Sequence, residues 1–313
     1  MDLELLTKEI KKRCLEVGFS KAGIAPAEYH KEDTENLNNW IDKKYNASMV
    51  WMEKNIDKRS NLLNYYSESK SVISVALNYF MGSSTDSYDP PYISNYALGE
   101  DYHIVIKSKL KELLDKIRLL DGSINGYYCV DTSPIMEKVW AQRAGLGRIG
   151  KHTNLITKEF GTWVFLGELV INRELVYDSS FDTDLCGTCT ACIDSCPTNA
   201  IVEPYILDAN KCISYMTIEH RDEFSEDIID LNDWIFGCDI CQEVCPWNVR
   251  FSQLSDSEEF YDKNMIKNKN YNDWESLTEE EFRTLFKHSS VKRTKYKGLK
   301  RNIQASISQK ENK

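Results

Sequence analysis

The 313-residue sequence has no apolar run long enough to span a bilayer. Its start, MDLELLTKEIKKRC, is amphipathic and charged and lacks the apolar core of a signal peptide. Internal repeats and long low-complexity linkers are also missing, which excludes a repeat architecture. These absences argue against a membrane or exported chain and predict a cytoplasmic one. Positive charge is in deficit: 39 Lys and Arg stand against 49 Asp and Glu, a net charge of −10. The surface as a whole therefore does not attract nucleic acid. The exception is residues 287–313, where nine Lys and Arg face one acid, Glu311.

Cysteine is not scarce. Eight of the ten cysteines lie between residues 186 and 245. Cys186, Cys189, Cys192 and Cys196-Pro197 give C-x2-C-x2-C-x3-C-P; Cys212 stands alone; Cys238, Cys241 and Cys245-Pro246 follow. The first run is that of bacterial ferredoxins, whose fourth cysteine serves the other of two four-iron clusters. That rule assigns Cys186, Cys189, Cys192 and Cys245 to one [4Fe-4S] cluster. It assigns Cys196, Cys212, Cys238 and Cys241 to the second, with Cys212 displaced upstream by an inserted segment. A cubane needs four soft thiolates converging from different directions, which short C-x2-C loops supply. Structural zinc prefers two C-x2-C pairs, and disulfides need an oxidising compartment that nothing in the sequence indicates.

The length suffices for two domains and a tail. The expected boundaries are 1–175, 176–255 and 256–313. Leu3, Leu6, Ile10, Cys14 and Val17 recur at helical spacing, and Gly18 closes that helix. FSKAGIA at 19–25 reads as a short strand, and a second helix carries Leu37, Trp40 and Ile41. SVISVALNYF reads as a strand buried on both faces. Residues 104–119 return to helical period, and YYCV at 127–130 reads as a buried strand. Residues 153–157 and 162–171 read as a hairpin about Phe160-Gly161. Thr278 and Glu281 form a capping-box pattern at the start of a later helix.

Two stretches carry polar groups with chemical potential. Asp131 stands at the end of the YYCV strand, where a rigid scaffold presents loops for chemistry. It can equally cap a helix beginning near Pro134, and spacing alone favours the cap. GLGRIG at 145–150 matches G-x-G-x-x-G, but a helical segment precedes it and a strand follows, the reverse of a dinucleotide site. The glycines are read instead as a tight loop that approaches a ligand closely, followed by Lys151, His152 and Thr153. The basic tail is either a solvated helix or a grip on a phosphate backbone.

Together, VDTSPIMEK at 130–138, AGLGRIGKHTNLI at 144–156, the cysteine run, KCISYMTIEHR at 211–221, GCDICQEVCPWN at 237–248 and SSVKRTKYKGLKRNI at 289–303 resemble the epoxyqueuosine reductase family. The resemblance spans residues 1 to about 303. It implies an α+β architecture: an N-terminal α/β cobalamin-binding domain similar to flavin-reductase and B12-processing folds, a ferredoxin-like domain with two [4Fe-4S] clusters, and a short helical C-terminal stub. It implies reduction of epoxyqueuosine to queuosine at the tRNA wobble position, the last step of queuosine biosynthesis. Asp131 matches the family's catalytic aspartate and would be the proton donor, its pKa expected to be raised by burial beside the corrin. Arg59, Tyr96, Lys151, Thr153, Ser214 and Asp239 fall in segments that surround cobalamin in the family. Lys292, Arg293, Lys295, Lys297, Lys300 and Arg301 would hold the tRNA.

The resemblance further implies an electron donor such as a flavodoxin or ferredoxin with its reductase, and a monomer without membrane partners. Two departures stand out. Arg148 occupies a position that is usually Trp, and the C-terminal region is shorter than in many members. No D-x-H-x-x-G cobalt-ligating motif is present. The rival readings are a ferredoxin-type carrier fused to an inert domain, another cobalamin iron–sulfur reductase, and a non-enzymatic RNA-binding protein. The roughly 185 residues before the clusters argue against the first, the missing export signal against a dehalogenase, and eight positioned cysteines against the last.

Overall fold

A computed structural model describes residues 2–83, 85, 88–225 and 228–312. The first half is built on a four-stranded antiparallel sheet. Its strands are β1 (Lys21–Pro26), β2 (Ser71–Asn78), β3 (Gly126–Cys129) and β4 (Val164–Ile171), in the order β1-β2-β4-β3. Helix α1 (Leu3–Glu16) starts where the Asp2 side chain accepts the Leu5 N–H at 2.8 Å, and turns Leu6, Ile10 and Cys14 inward. It packs with α2 (Tyr102–Leu120) on one face of the sheet. The short helix α3 (Glu137–Arg143) covers the other face through Trp140 and Ala141.

Because helices cover both faces, β2 is buried along its whole length and reads as a continuous apolar run, although the sheet is antiparallel. Each Ile or Leu removed from water there stabilises the fold by about 1.5–3 kcal/mol. Truncating fully buried Ile106 on α2 to Ala would cost about 2–5 kcal/mol.

Four local expectations are corrected, the first being burial along YYCV, where Cys129 and Val130 are buried but Tyr127 and Tyr128 are exposed. The segments 153–157 and 162–171 do not form a hairpin with each other. Leu155–Ile156 pairs with Arg148–Ile149, and β4 joins the central sheet, leaving one bridge between Thr157 and Gly161. The GLGRIGKHTNLI stretch is thus itself a small hairpin. Gly147 is required in it, because a Cβ there would lie 2.2 Å from the Ile156 carbonyl oxygen. Helix α3 begins at Glu137 rather than near Pro134, and no side chain caps it. Asp131 is free of the capping role that spacing favoured.

The cysteine-rich half consists of short helices, Ala191–Asp194, Ile240–Glu243 and Pro246–Phe251, and a small hairpin, Ile201–Glu203 with Ile206–Leu207. It is stitched to the first half by a parallel pairing of Trp234–Phe236 with Tyr92–Ile93. The C-terminal helix α4 (Lys295–Glu311) packs there too. One core combines Ile93, Leu98, Phe236, Trp274, Leu299 and Ile303, so the last segment shares its interior with both earlier ones. The capping box of Thr278 and Glu281 is present as expected.

Candidate active site and cofactor pockets

The site begins at the N-terminus of α2. Asp101 caps that helix, accepting the His103 N–H at 3.0 Å, and the same oxygen lies 2.7 Å from His103 Nδ1. The other ring nitrogen, Nε2, lies 2.9 Å from Asp131 Oδ2. The His103 ring stacks on Tyr102, which stacks in turn on Phe165 of β4. Asp131 follows β3 with a φ of +31°, a backbone conformation that costs a non-glycine residue roughly 1–3 kcal/mol. An aspartate held in such a state by its surroundings, with 47% of its side chain exposed, is placed to meet a ligand.

Charge in this row is uneven. Burial pushes the His103 imidazole down, but its hydrogen bonds to Asp101 and Asp131 outweigh burial and lift it to about 9. Burial pushes Asp131 up, but the bond and charge of His103, the Tyr102 hydroxyl and the charge of Arg293 outweigh it, leaving the carboxyl below its usual range. Before a corrin covers it, Asp131 is lowered rather than raised, and the proton of this pair resides on His103. Two further carboxyls lie inward. Glu137 is raised by burial and by the Asp131 charge. Glu168, fully buried on β4, is raised well above the usual range by burial and by Glu137, with Ser74 Oγ at 3.2 Å and its second oxygen unpartnered among the described residues.

Asp131 opens onto a cleft of about 960 Å³ lined by aromatic and apolar groups, among them Trp40, Tyr45, Trp51, Met52 and Ile135. Arg59, Thr153, Glu137 and Lys138 supply its polar rim. The size and mix suit a large, largely apolar ligand with polar substituents. Arg59 Nε is buried without a hydrogen-bond partner among the described residues, a donor left for such a substituent. Thr153, like Asp131, has a positive φ, +68°. These residues fit a corrin with amide side chains.

The cysteines gather into two neighbouring groups that meet at Cys192 and Cys241. Cys192 feels Cys186, Cys245 and Cys189, and Cys245 feels Cys186 and Cys189. Cys238 feels Cys241 and Cys212, and Cys241 feels Cys212, then Cys192 and Cys196. Backbone N–H groups point at the sulfurs: Lys151 N lies 3.4 Å from Cys186 Sγ, and Ala200 N lies 3.2 Å from Cys196 Sγ. Burial pushes the Cys192 thiol up to about 11 and raises Cys241 further, so incoming iron must displace their protons. No three His, Cys, Asp or Glu side chains among the described residues close around a single ion. A cubane is larger than an ion and sits among thiols held farther apart, so the donor chemistry fits two four-iron clusters.

Other expected cofactor contacts lie elsewhere. Lys151 does not line the cleft; its ammonium donates to the carbonyls of Gly187 at 2.7 Å and Cys189 at 2.8 Å. Asp239 is buried and accepts from the Asn95 backbone at 2.7 Å, and burial lifts it to about 6. It ties the second quartet to residues 94–95. Tyr96 lies behind Asp131, edge-on to Tyr102, and Ser214 sits beside Cys212; neither lines the cleft.

The tail divides similarly. Arg301 is buried, donates to the carbonyls of Met216, His220 and Asp222, and lies over Phe224 at 3.9 Å, so it is structural rather than free for phosphate. Lys300 donates to the Glu275 carbonyl, and Lys297 pairs with Glu223 at 2.7 Å while remaining exposed. Arg293 holds Glu219 through both carboxylate oxygens, and its charge reaches Asp131. Lys292 and Lys295 are exposed. Sequence reasoning missed His103, whose one sequence signal was an aspartate two residues earlier at a helix start.

Residues 185–248 match a family described as a 4Fe-4S double cluster binding domain. Residues 59–132 match one described as epoxyqueuosine reductase QueG, DUF1730. An epoxyqueuosine reductase of Leadbetterella byssophila is 45% identical over 298 residues, 95% of this chain and 97% of that one. One of Salmonella typhimurium is 37% identical, covering 98% of this chain and 81% of the other. A crystal structure of an epoxyqueuosine reductase with an epoxyqueuosine-modified tRNA-Tyr stem loop superposes with a TM-score of 0.89 at 27% identity, over 98% of this chain and 82% of that one. The fold is accordingly mixed α/β with a double-cluster domain. With both halves of the site matched and near-complete coverage by relatives of one kind, the chain belongs to the epoxyqueuosine reductase family.

Proposed function

We propose that the protein reduces epoxyqueuosine to queuosine at the wobble position of tRNA, using cobalamin and two [4Fe-4S] clusters. The observation that carries this reading is the placement of Asp131, backed by His103 and Asp101, on the wall of a corrin-sized cleft in a chain with eight clustered cysteines. The family's similarity to a tRNA-bound reductase supplies the substrate. Cys186, Cys189, Cys192 and Cys245 would hold one cluster, and Cys196, Cys212, Cys238 and Cys241 the other. The first half is read as a cobalamin-binding domain, with Arg59 and Thr153 toward the corrin.

Bound cobalamin supplies a low-valent metal that couples single electrons to carbon chemistry. The residues of the chain supply the proton. Losing the epoxide oxygen as water, with an alkene left behind, takes two electrons and two protons. At neutral pH one proton is held at His103 Nε2 against ionised Asp131. Covering the half-exposed Asp131 with cofactor and substrate desolvates it and raises its proton affinity. The proton then crosses the 2.9 Å bond from His103, and Asp131 presents it to the departing oxygen; the second proton enters from solvent as the oxygen leaves as water. The apolar lining excludes water while this occurs. The base leaves the anticodon stack to reach the cleft. Exposed Lys292, Lys295 and Lys297 are assigned to the tRNA backbone, with Arg293 at the active-site end. Electrons are assigned to a small flavin or iron–sulfur carrier.

The test is Asp131→Asn in protein loaded with clusters and cobalamin. General acid catalysis is worth about 10²–10⁴ in rate, so turnover should fall by that factor while cofactor content holds. Undiminished turnover in the loaded variant contradicts the assignment.

A further inference from the structure

We propose that Lys151 is the fixed counter-charge of the cluster held by Cys186, Cys189, Cys192 and Cys245, and that it sets that cluster's reduction potential. This rests on the ligand assignment of the proposed function. Lys151 is 9% exposed, and among the described residues no carboxylate lies within ion-pair distance of its ammonium. A cation buried without an anion is costly, so a partner is required. Its surroundings name one. The ammonium is anchored on the carbonyls of Gly187 and Cys189, inside the loop that carries the first two ligands. The backbone N–H of the same residue points at Cys186 Sγ, and its carbonyl accepts from Tyr205 N at 3.0 Å, fixing the chain on the other side.

A four-thiolate cluster is anionic, and each added electron makes it more so. A fixed positive charge against its binding loop therefore stabilises the reduced form more than the oxidised form, and N–H donors to sulfur act in the same direction. Asp184 opposes this from the solvent side, where its exposed carboxylate accepts the Cys186 and Gly187 N–H groups at 2.9 and 3.1 Å. Lys151 belongs to the Arg148–Ile156 hairpin, whose Ile149 and Thr153 line the cleft. One short segment thus touches the first cluster and the cofactor cleft together. Lys151 is a positioning residue for electron transfer, not a catalytic one.

The test compares Lys151→Gln, which keeps donors for the two carbonyls but drops the charge, with Lys151→Arg, which keeps the charge. Full-length proteins are purified without oxygen and loaded with iron and sulfide. Each is then titrated with reductant while the two cluster signals are followed by electron paramagnetic resonance. The first cluster's signal is identified as the one missing from Cys245→Ala. Lys151→Gln should move that midpoint to a more negative potential, or lose that cluster alone, leaving the second unmoved; Lys151→Arg should restore it. Unchanged potentials and iron content in Lys151→Gln, or an Arg variant that behaves like the Gln variant, overturn the proposal alone. A wild-type protein that holds no pair of clusters overturns the ligand assignment instead, and this proposal with it.

Discussion

His103 Nε2 lies 2.9 Å from Asp131 Oδ2, and its other nitrogen lies 2.7 Å from Asp101. On the proposed function, the residue that stores the proton is therefore distinct from Asp131, which faces the cleft. His103→Gln should lower turnover by about 10²-fold. In the wild type, activity should fall as pH rises through about 9, where His103 loses its proton. The variant should lack that limb, which a pH profile of kcat checks.

The same pair links stability to pH. His103 rises from its ordinary 6.5 to about 9 on folding, so its contribution is complete below 6.5 and is lost as pH climbs through 9. The amount at stake is about 3 kcal/mol. Asp131 is shifted downward, so its contribution is present above its ordinary value of 3.8 and is lost only as pH falls below that. Thermal denaturation between pH 6.5 and 9 should show Tm declining in the wild type and a flatter response in His103→Gln.

The quartets predict paired losses. Cys245→Ala and Cys186→Ala should each remove about half the iron and leave the same residual spectrum. Cys196→Ala should remove the other half, although Cys196 closes the first run in the sequence. Iron analysis with spectroscopy of the three variants decides between the crossed assignment and one following sequence order.

On the proposed function, the basic tail separates into exposed lysines assigned to tRNA and a buried Arg301 that holds the fold. Replacing Lys292, Lys295 and Lys297 together with Ala should weaken tRNA binding and flatten its salt dependence, by about 0.9 in slope for each phosphate no longer neutralised. Arg301→Ala should instead destabilise the fold by roughly 2–4 kcal/mol, because three carbonyls lose their buried donor. Binding measured against salt and unfolding by denaturant distinguish the two.

Much of the site was legible because its chemistry is local. The cysteines of the double-cluster domain sit in short runs whose spacing is the signal, and the capping box of Thr278 and Glu281 lies within one turn. What was missed depends on distance. His103 and Asp131 are 28 residues apart and meet only because α2 and β3 pack in one domain. Lys151 reads as a cleft residue until its hairpin is seen to turn it toward Gly187. Arg301 is indistinguishable in sequence from its exposed neighbours, and burial against Phe224 decides its role. The strand β4 was found, but its partner was not, since an apolar run does not say which strand it joins.

The most direct measurement incubates anaerobically prepared, cluster-loaded protein with reductant and epoxyqueuosine-containing tRNA, with and without cobalamin, and reads the digested nucleosides by mass spectrometry. Loss of one oxygen, giving queuosine, is expected only when cobalamin is present. Unconverted epoxyqueuosine from a protein carrying both clusters and bound cobalamin would contradict the proposed function.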